Sequence, residues 1–146
     1  MLNFPSYNIR TKNTQKNTLV FDRWRKKWVV LTPEEWVRQH CLYFLSESCG
    51  IPAAWIAVEK EIHVQQNPKR FDIVVFAPDT RLWLLVECKA PQVVLNQEVL
   101  DQINRYNTQL NCPYLMLTNG MQHIFCQSSG SEIQFLEQLP KYPTDL

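Results

Sequence analysis

Two short apolar runs dominate the pattern of hydrophobic and polar positions, at residues 73–76 (Ile-Val-Val-Phe) and 82–86 (Leu-Trp-Leu-Leu-Val). Their length and their β-branched and aromatic content are typical of buried strands. Residues 77–81 between them contain a proline and an aspartate, which favour a tight turn. The pattern therefore predicts an antiparallel hairpin, with Asp72 at the start of its first strand and Glu87 near the end of its second.

Apolar residues at helical spacing predict two main helices. The first has Thr32 as its cap and Pro33 at the first helical position, and Glu35 lies where a capping box places an acidic residue. It is expected to end near Ser48. The second helix has Asn96 as its cap. The predicted buried stripes are Trp36, Val37, Cys41, Phe44 and Leu45 in the first helix, and Leu100, Ile103, Tyr106 and Leu110 in the second.

Further strands are predicted on both sides of the hairpin. Residues 19–21 and 28–31 are short strand candidates that would form a hairpin over one edge of the sheet, and residues 54–64 contain a first core strand. Residues 65–69 read as a turn into the central hairpin. Tyr114–Thr118 is predicted to be a buried strand. The Asn119-Gly120 turn would connect it to an antiparallel strand at residues 122–127. Residues 132–139 would form a last strand or a short helix.

The central hairpin also gathers candidate chemistry. Asp72 and Glu87 lie at the same end of the predicted sheet, and side-chain alternation places Lys89 on the face of Glu87. Two carboxylates suit Mg²⁺, and an ammonium beside them can orient a water or offset charge on a phosphate. The alternative is that these are boundary residues forming only a salt-bridged end of a sheet.

Composition indicates a single soluble globular domain. The 146 residues are 45% apolar and 20% charged, with a net charge of +1. Residues 19–139 are expected to form the domain, 1–18 a basic arm that orders only against the body or a ligand, and 140–146 a C-terminal tail. Residues 1–28 carry seven basic side chains and one acidic one, which would suit a phosphate backbone or, equally, a solvated arm.

Cysteine usage and hydropathy indicate the cytoplasm. The five cysteines are odd in number and form no Cys-x-x-Cys pair. The first residues do not have the basic and apolar pattern of a signal peptide, and no stretch approaches the length of a membrane span. We therefore expect reduced thiols and no membrane association.

The order and spacing of the motifs resemble a known family. Asp72 followed by Glu87-Cys88-Lys89 resembles the signature of the PD-(D/E)xK nuclease superfamily. More narrowly, residues 31–39 (Leu-Thr-Pro-Glu-Glu-Trp-Val-Arg-Gln), 70–75 and 87–91 resemble the N-terminal nuclease domain of type I restriction enzyme R subunits, over about residues 20 to 127. The resemblance implies an α/β fold with a restriction-endonuclease-like core. A mixed central sheet would be flanked by two main helices and preceded by an N-terminal β-hairpin and arm.

The same resemblance implies a metal site and its catalytic groups. Mg²⁺, with Mn²⁺ as a substitute, would be held by Asp72, Glu87 and the main-chain carbonyl of Cys88. Glu35 either completes this site, as a helical Glu does in the family, or serves only as a helix cap. Lys89 would position the attacking water or neutralise the transition state.

Further residues would position or bind the nucleic acid. Gln102 and Tyr106 resemble the Gln-x-x-x-Tyr motif of RecB-like members of the superfamily, and their spacing places them on one helix face. Arg38 matches an arginine of the family that contacts phosphate or forms an ion pair, and the alternative is an exposed helix residue. The remaining candidate nucleic-acid contacts are Arg70, Lys26 and Lys27.

These expectations converge on a metal-dependent endonuclease domain that hydrolyses DNA phosphodiester bonds without the helicase motor of the restriction subunit. The alternative functions are a catalytically inactive nucleic-acid-binding or interaction module with the same fold, and a purely structural protein. DNA is the expected partner, together with a separate motor or specificity subunit. Cutting two strands with one site would suggest a homodimer.

Overall fold

The computed structural model describes residues 1–144 and contains two sheets and two main helices. The helices are α1 (Pro33–Tyr43), which continues as a π-helical turn at Phe44–Ser48, and α2 (Gln97–Leu110). The strands are β1 (Thr11–Asn13), β2 (Thr18–Asp22), β3 (Lys27–Val30), β4 (Ile56–Val64), β5 (Asn67–Phe76), β6 (Leu82–Cys88), β7 (Tyr114–Thr118), β8 (His123–Ser129) and β9 (Glu132–Leu136). The last two residues of the predicted tail, 145 and 146, lie outside the described residues.

The larger sheet has six strands in the order β4-β5-β6-β7-β8-β9. Its neighbours are antiparallel except β6 and β7, which run parallel and are joined by the segment that contains α2. A parallel pair needs such a crossover connection. The predicted mixed α/β architecture with two main helices is therefore confirmed.

Each face of this sheet packs against one helix. Along β6, Leu84 and Val86 belong to the core that contains Val37 of α1, whereas Leu85 belongs to the core that contains Ile103 of α2. A strand buried on both faces needs apolar residues at successive positions. This requirement explains the continuous apolar runs of the central hairpin, whose pairing is confirmed by the register of β5 and β6.

The N-terminal segment packs against the body of the domain. β2 and β3 form the expected hairpin, and β1 adds a third strand to it. The sequence did not predict β1, because its three residues are polar and exposed and only backbone pairing with β2 defines it. Before β1, the Phe4 ring lies 4.3 Å from the ring of His123, and Asn3 N donates to Gly120 O at 2.7 Å.

One predicted boundary is wrong. The turn assigned to residues 65–69 consists only of Gln65 and Gln66, which both have left-handed backbones, with φ of 51° and 66°. β5 begins at Asn67 because its backbone pairs with β4 from the first residue after the turn, despite the polar side chains there. Asp72 therefore lies within β5 and not at its start.

The predicted helix caps and the last predicted element agree with the structure, but the predicted C-terminal tail is partly wrong, because Tyr142 is buried in the core and donates to Phe76 O at 2.7 Å. Thr32 and Asn96 cap α1 and α2 by accepting from Glu35 N and Val99 N. Residues 132–139, predicted as a strand or a helix, contain the strand β9. Neither helix in residues 1–144 is both long enough and apolar enough to cross a membrane.

Two glycines provide a test of how tightly the N-terminal segment packs. Gly120 and Gly130 both have left-handed backbones, with φ of 86° and 61°, so an alanine at either should cost about 1 kcal/mol in backbone strain. At Gly120 the added Cβ would also lie 2.8 Å from Cδ2 of Leu2 in the N-terminal segment and 2.9 Å from Cγ2 of the buried Val37, whereas nothing lies within 4 Å at Gly130. We expect Gly120→Ala to lower the free energy of unfolding by about 1–3 kcal/mol more than Gly130→Ala, measured by urea denaturation. Equal losses would contradict the close packing.

Candidate active site

The central hairpin brings Asp72 and Glu87 together. Ile73 pairs with Val86, and the β5–β6 ladder ends at that pair. Beyond this pair, the backbone N–H of Cys88 on β6 donates to Oδ2 of Asp72 on β5 at 2.8 Å. The Asp72 side chain therefore accepts the hydrogen bond that a backbone carbonyl would accept in a continuing ladder. The position of the Asp72 carboxylate is therefore set by the backbone of the strand that carries Glu87.

Arg38 of α1 holds the second oxygen of Asp72. Its Nη2 donates to Asp72 Oδ1 at 2.8 Å, and its Nη1 donates to Glu35 Oε1 at 2.7 Å. Arg38 is only 6% exposed, so the interpretation as an ion pair is confirmed and that as an exposed helix residue is wrong. Burial alone would lower the pKa of Arg38, but the hydrogen bond and charge of Asp72, with the charge of Glu35, raise it above its usual value.

Glu35 makes only half of the predicted capping box. Its backbone N–H donates to Thr32 Oγ1 at 3.0 Å, but its carboxylate accepts from Arg25, Arg38 and Gln39 and not from the backbone of Thr32. Arginines hold this carboxylate more strongly than a backbone N–H would. The Arg38 guanidinium contacts both Glu35 and Asp72 and links the two carboxylates.

Glu87 is the more strongly perturbed carboxyl group. Its side chain is 15% exposed, and its buried Oε1 has no hydrogen-bond partner among the described residues. The pKa of Glu87 is raised to about 8, first by burial and then by the charge and hydrogen bond of Asp72, while the charges of Lys69 and Lys89 oppose the increase. At neutral pH this carboxyl group therefore mostly retains its proton.

A pocket between the hairpin and α2 contains most of the predicted catalytic set. Glu87 and Lys89 line it from β6 and the residue beyond, and Gln102 and Tyr106 line it from α2. Val99 and Ile103 complete its α2 wall. The structure thus brings the Glu-x-Lys and Gln-x-x-x-Tyr motifs to one place.

The sequence missed one residue of this pocket, Lys69. Its Nζ lies 3.6 Å from Glu87 Oε1 and 5.2 Å from the ring centres of both Phe71 and Tyr106, within the range of a cation–π contact. Lys69 fell within the stretch predicted as a turn. No local signal could have placed it here, because the orientation of this half of β5 depends on a break in the strand.

That break is visible in the packing of β5. Phe71 and Val74 pack in the same core although they are three positions apart along the strand. Regular alternation would place them on opposite faces of the sheet. On the neighbouring strand, Glu59 has a left-handed backbone, with φ of 51°, and falls between the paired residues Val58 and Lys60.

The other candidate residues lie away from the pocket. Arg70 is exposed on β5 opposite Glu61, and Lys26 and Lys27 are exposed at the turn between β2 and β3. Cys88 is 1% exposed and contributes its backbone to the site. Within residues 1–144, no group of three or more His, Cys, Asp or Glu side chains is arranged to hold a metal ion.

Comparison with known protein families gives a match over most of the chain. A family model described as "Type I restriction enzyme R protein N terminus (HSDR_N)" matches residues 33–140. The matched region begins with α1 and contains both main helices and every strand of the six-stranded sheet. A search of curated proteins found no match.

Removing the charge of Arg38 should destabilise the fold. Arg38→Met keeps much of the apolar stem but leaves Asp72 and Glu35 buried without their shared cation. We expect the free energy of unfolding at pH 7 to fall by about 3 kcal/mol. Arg81→Met is the matched control. The Arg81 side chain is 86% exposed and forms a surface ion pair with Asp79, so this substitution should change the free energy of unfolding by less than about 0.5 kcal/mol. Similar losses in both variants would contradict a special role for Arg38.

The raised pKa of Glu87 predicts that stability falls with rising pH in the absence of divalent cations. The folded protein holds the proton of Glu87 up to about pH 8, whereas the unfolded chain releases it near 4.5. Between these values the folded state binds more protons, so the free energy of unfolding decreases as the pH rises, by an amount on the order of 3 kcal/mol.

Denaturation in EDTA at pH 5 and pH 8 measures this dependence. Glu87→Gln should remove most of it, whereas Glu98→Gln, a change at an exposed position of α2, should leave it intact. A wild-type stability that rises from pH 5 to 8, or a slope that survives in Glu87→Gln, would contradict the assignment.

Proposed function

The chain belongs to the family of type I restriction enzyme R protein N-terminal domains, and from this premise we propose that it is a metal-dependent endonuclease domain that hydrolyses DNA phosphodiester bonds. We propose with it that the six-stranded sheet and its two helices form a restriction-endonuclease-like core. The observation that carries the proposal is the convergence of Glu87, Lys89, Gln102 and Tyr106 at one pocket, beside an Asp72 bonded to the same strand.

The acidic pair fits a divalent cation. Glu87 Oε1 is a buried oxygen without a hydrogen-bond donor among residues 1–144, and the nearby charge of Asp72 contributes to its raised pKa. A cation between the two carboxylates would reduce the repulsion between Asp72 and Glu87 and would give Glu87 Oε1 a partner. Asp72, Glu87 and the carbonyl of Cys88 would hold Mg²⁺, or Mn²⁺ in its place. The bound ion would polarise the scissile phosphate and lower the pKa of a water molecule.

The side chains around the pair have separable tasks. Lys89 supplies an ammonium on the pocket side of β6, where it positions the attacking water or offsets the charge of the transition state. Gln102 and Tyr106 position the phosphodiester from α2. Lys69 adds a second ammonium, which its two aromatic neighbours hold next to Glu87. Arg38 and the N–H of Cys88 keep Asp72 oriented and do not themselves line the pocket.

Glu35 is assigned a supporting role by its contacts. Its carboxylate is held by Arg25 and Arg38, each within 2.8 Å. It would therefore influence the cation through Arg38 and Asp72 without binding it directly. Arg70, Lys26 and Lys27 are exposed and are proposed as phosphate contacts outside the pocket.

A nucleic-acid-binding module without turnover is the second candidate. The observation that favours it is that Arg38 and Cys88 N already engage both oxygens of Asp72. Each carboxylate oxygen retains capacity for a further contact, and for that reason we place the nuclease first. Either function would operate on DNA, with a separate motor or specificity subunit or a second copy of the chain as partner.

Cleavage of supercoiled plasmid DNA tests the proposed function. In Mg²⁺ or Mn²⁺ the wild type should nick the plasmid, and Lys89→Met should reduce the rate by about 100-fold or more, because it removes a charge-stabilising contact worth on the order of 3 kcal/mol. Lys141→Met, at an exposed position near the C-terminus, is the control and should cleave at the wild-type rate.

The outcomes separate the two candidates. Equal cleavage by the wild type and Lys89→Met would remove Lys89 from the mechanism. Salt-sensitive DNA binding without cleavage, in either metal, would favour the inactive module.

A further inference from the structure

A second, larger groove adjoins the active-site pocket on the side of the β4–β5 turn. It has a volume of about 460 Å³ and shares the lining residues Gln102 and Tyr106 with the pocket, so the two concavities are adjacent. None of the groove-lining residues within the described chain is acidic. The polar residues that line it are Gln65, Asn67, Gln102, Arg105, Tyr106 and Gln109.

One wall of the groove is a polar stripe along α2. Gln102, Arg105, Tyr106 and Gln109 follow the spacing i, i+3, i+4, i+7, which places them on one face of the helix. Seven residues of an α-helix rise by about 10 Å. From the pocket that contains Glu87, the stripe therefore extends over a distance equal to about three stacked nucleotides at roughly 3.4 Å each.

The opposite wall is the turn between β4 and β5. This two-residue turn places Gln65 beside the paired residues Val64 and Asn67. Because strand pairing continues up to the turn, this wall belongs to the sheet and is not a long free loop. The groove is thus held between two regular elements, the end of a hairpin and a helix.

The chemistry of the lining suits nucleobases. Each amide side chain offers both a donor and an acceptor, the combination that pairs with base edges. Tyr106 is half-buried and offers a ring at the junction of the two concavities, and Arg105 supplies a positive charge for the backbone. Because no described residue that lines the groove is acidic, the groove itself does not repel a polyanion.

The concave shape favours unpaired nucleotides over an intact duplex. Bases in a duplex are read by a convex element that enters a groove of the DNA. A concave site lined by amides and an aromatic ring instead receives a base that has left the stack. We propose that this groove binds unpaired nucleotides next to the scissile phosphate, so that the preferred substrate is DNA with a single-stranded stretch beside the cleavage position. This inference rests on the proposed nuclease function.

Binding without cleavage gives the test. Fluorescence anisotropy in EDTA compares three labelled DNA hairpins, one flush-ended and two with a single-stranded tail of about six nucleotides, at the 5′ end in one and at the 3′ end in the other. The variant is Gln65→Ala/Gln109→Ala, which changes both walls and leaves Gln102 and Tyr106 intact. Gln138→Ala, at an exposed position outside the groove, is the matched control.

The wild type should bind one tailed hairpin more tightly than the flush-ended one. The double variant should weaken binding of the tailed hairpin by about tenfold and of the flush-ended hairpin by less than about twofold, because two hydrogen-bonding side chains are lost only from the groove. The Gln138→Ala control should match the wild type on both.

Three results would overturn the inference. Equal binding of tailed and flush-ended hairpins, equal weakening of both in the double variant, or no weakening at all would show that the groove does not hold unpaired nucleotides. If the wild type cleaves plasmid DNA but the double variant binds the tailed hairpin as tightly as the wild type does, the nuclease proposal would stand while this inference fails. If the protein never cleaves but binds the tailed hairpin through the groove, the groove inference would stand while the nuclease proposal fails.

Discussion

A buried guanidinium between two carboxylates is the interaction on which the rest of the site depends. Arg38 is anchored in α1, Asp72 in β5, and the ion pair between them joins the helix to the central hairpin. Without Arg38, the buried carboxylate of Glu35 and the partly buried carboxylate of Asp72 would lose their shared cation, at a cost of several kcal/mol. The Arg38 contact therefore determines where α1 sits relative to the strand that carries the first acidic residue of the site.

The network extends from Arg38 into the N-terminal sheet. Arg25, at the turn between β2 and β3, binds Asp22 at 2.6 Å and Glu35 at 2.8 Å. A buried network of this kind often stabilises a fold no more than apolar packing would, so its expected contribution is to specify one geometry. Because Glu35 is shared by Arg25 and Arg38, the position of the N-terminal sheet is tied to that of Asp72 through three successive ion pairs.

The parts of this architecture that the sequence could predict are those that local rules determine. Apolar runs, a turn with proline and aspartate, and capping residues such as Thr32 predicted the central hairpin and both helices, because each depends on a few neighbouring residues. The burial of Arg38 and the position of Lys69 could not be predicted, since the first requires partners 34 residues apart and the second a break in strand alternation. Polar side chains likewise concealed the first residues of β5, which backbone pairing defines.

The two carboxyl groups that the hairpin brings together, those of Asp72 and Glu87, have different partners for their oxygens. This difference bears on how they would act in the proposed metal site. Asp72 has a fixed guanidinium and a backbone donor on its two oxygens. Glu87 has a buried oxygen without a donor among the described residues, an ammonium 3.6 Å away, and a pKa raised by burial. In the proposed function, the first arrangement would keep a metal ligand in place, and the second would leave a proton for a divalent cation to displace. Lys69 and Lys89 line the same pocket as Glu87, where under the proposed function they would face the charge of a phosphodiester.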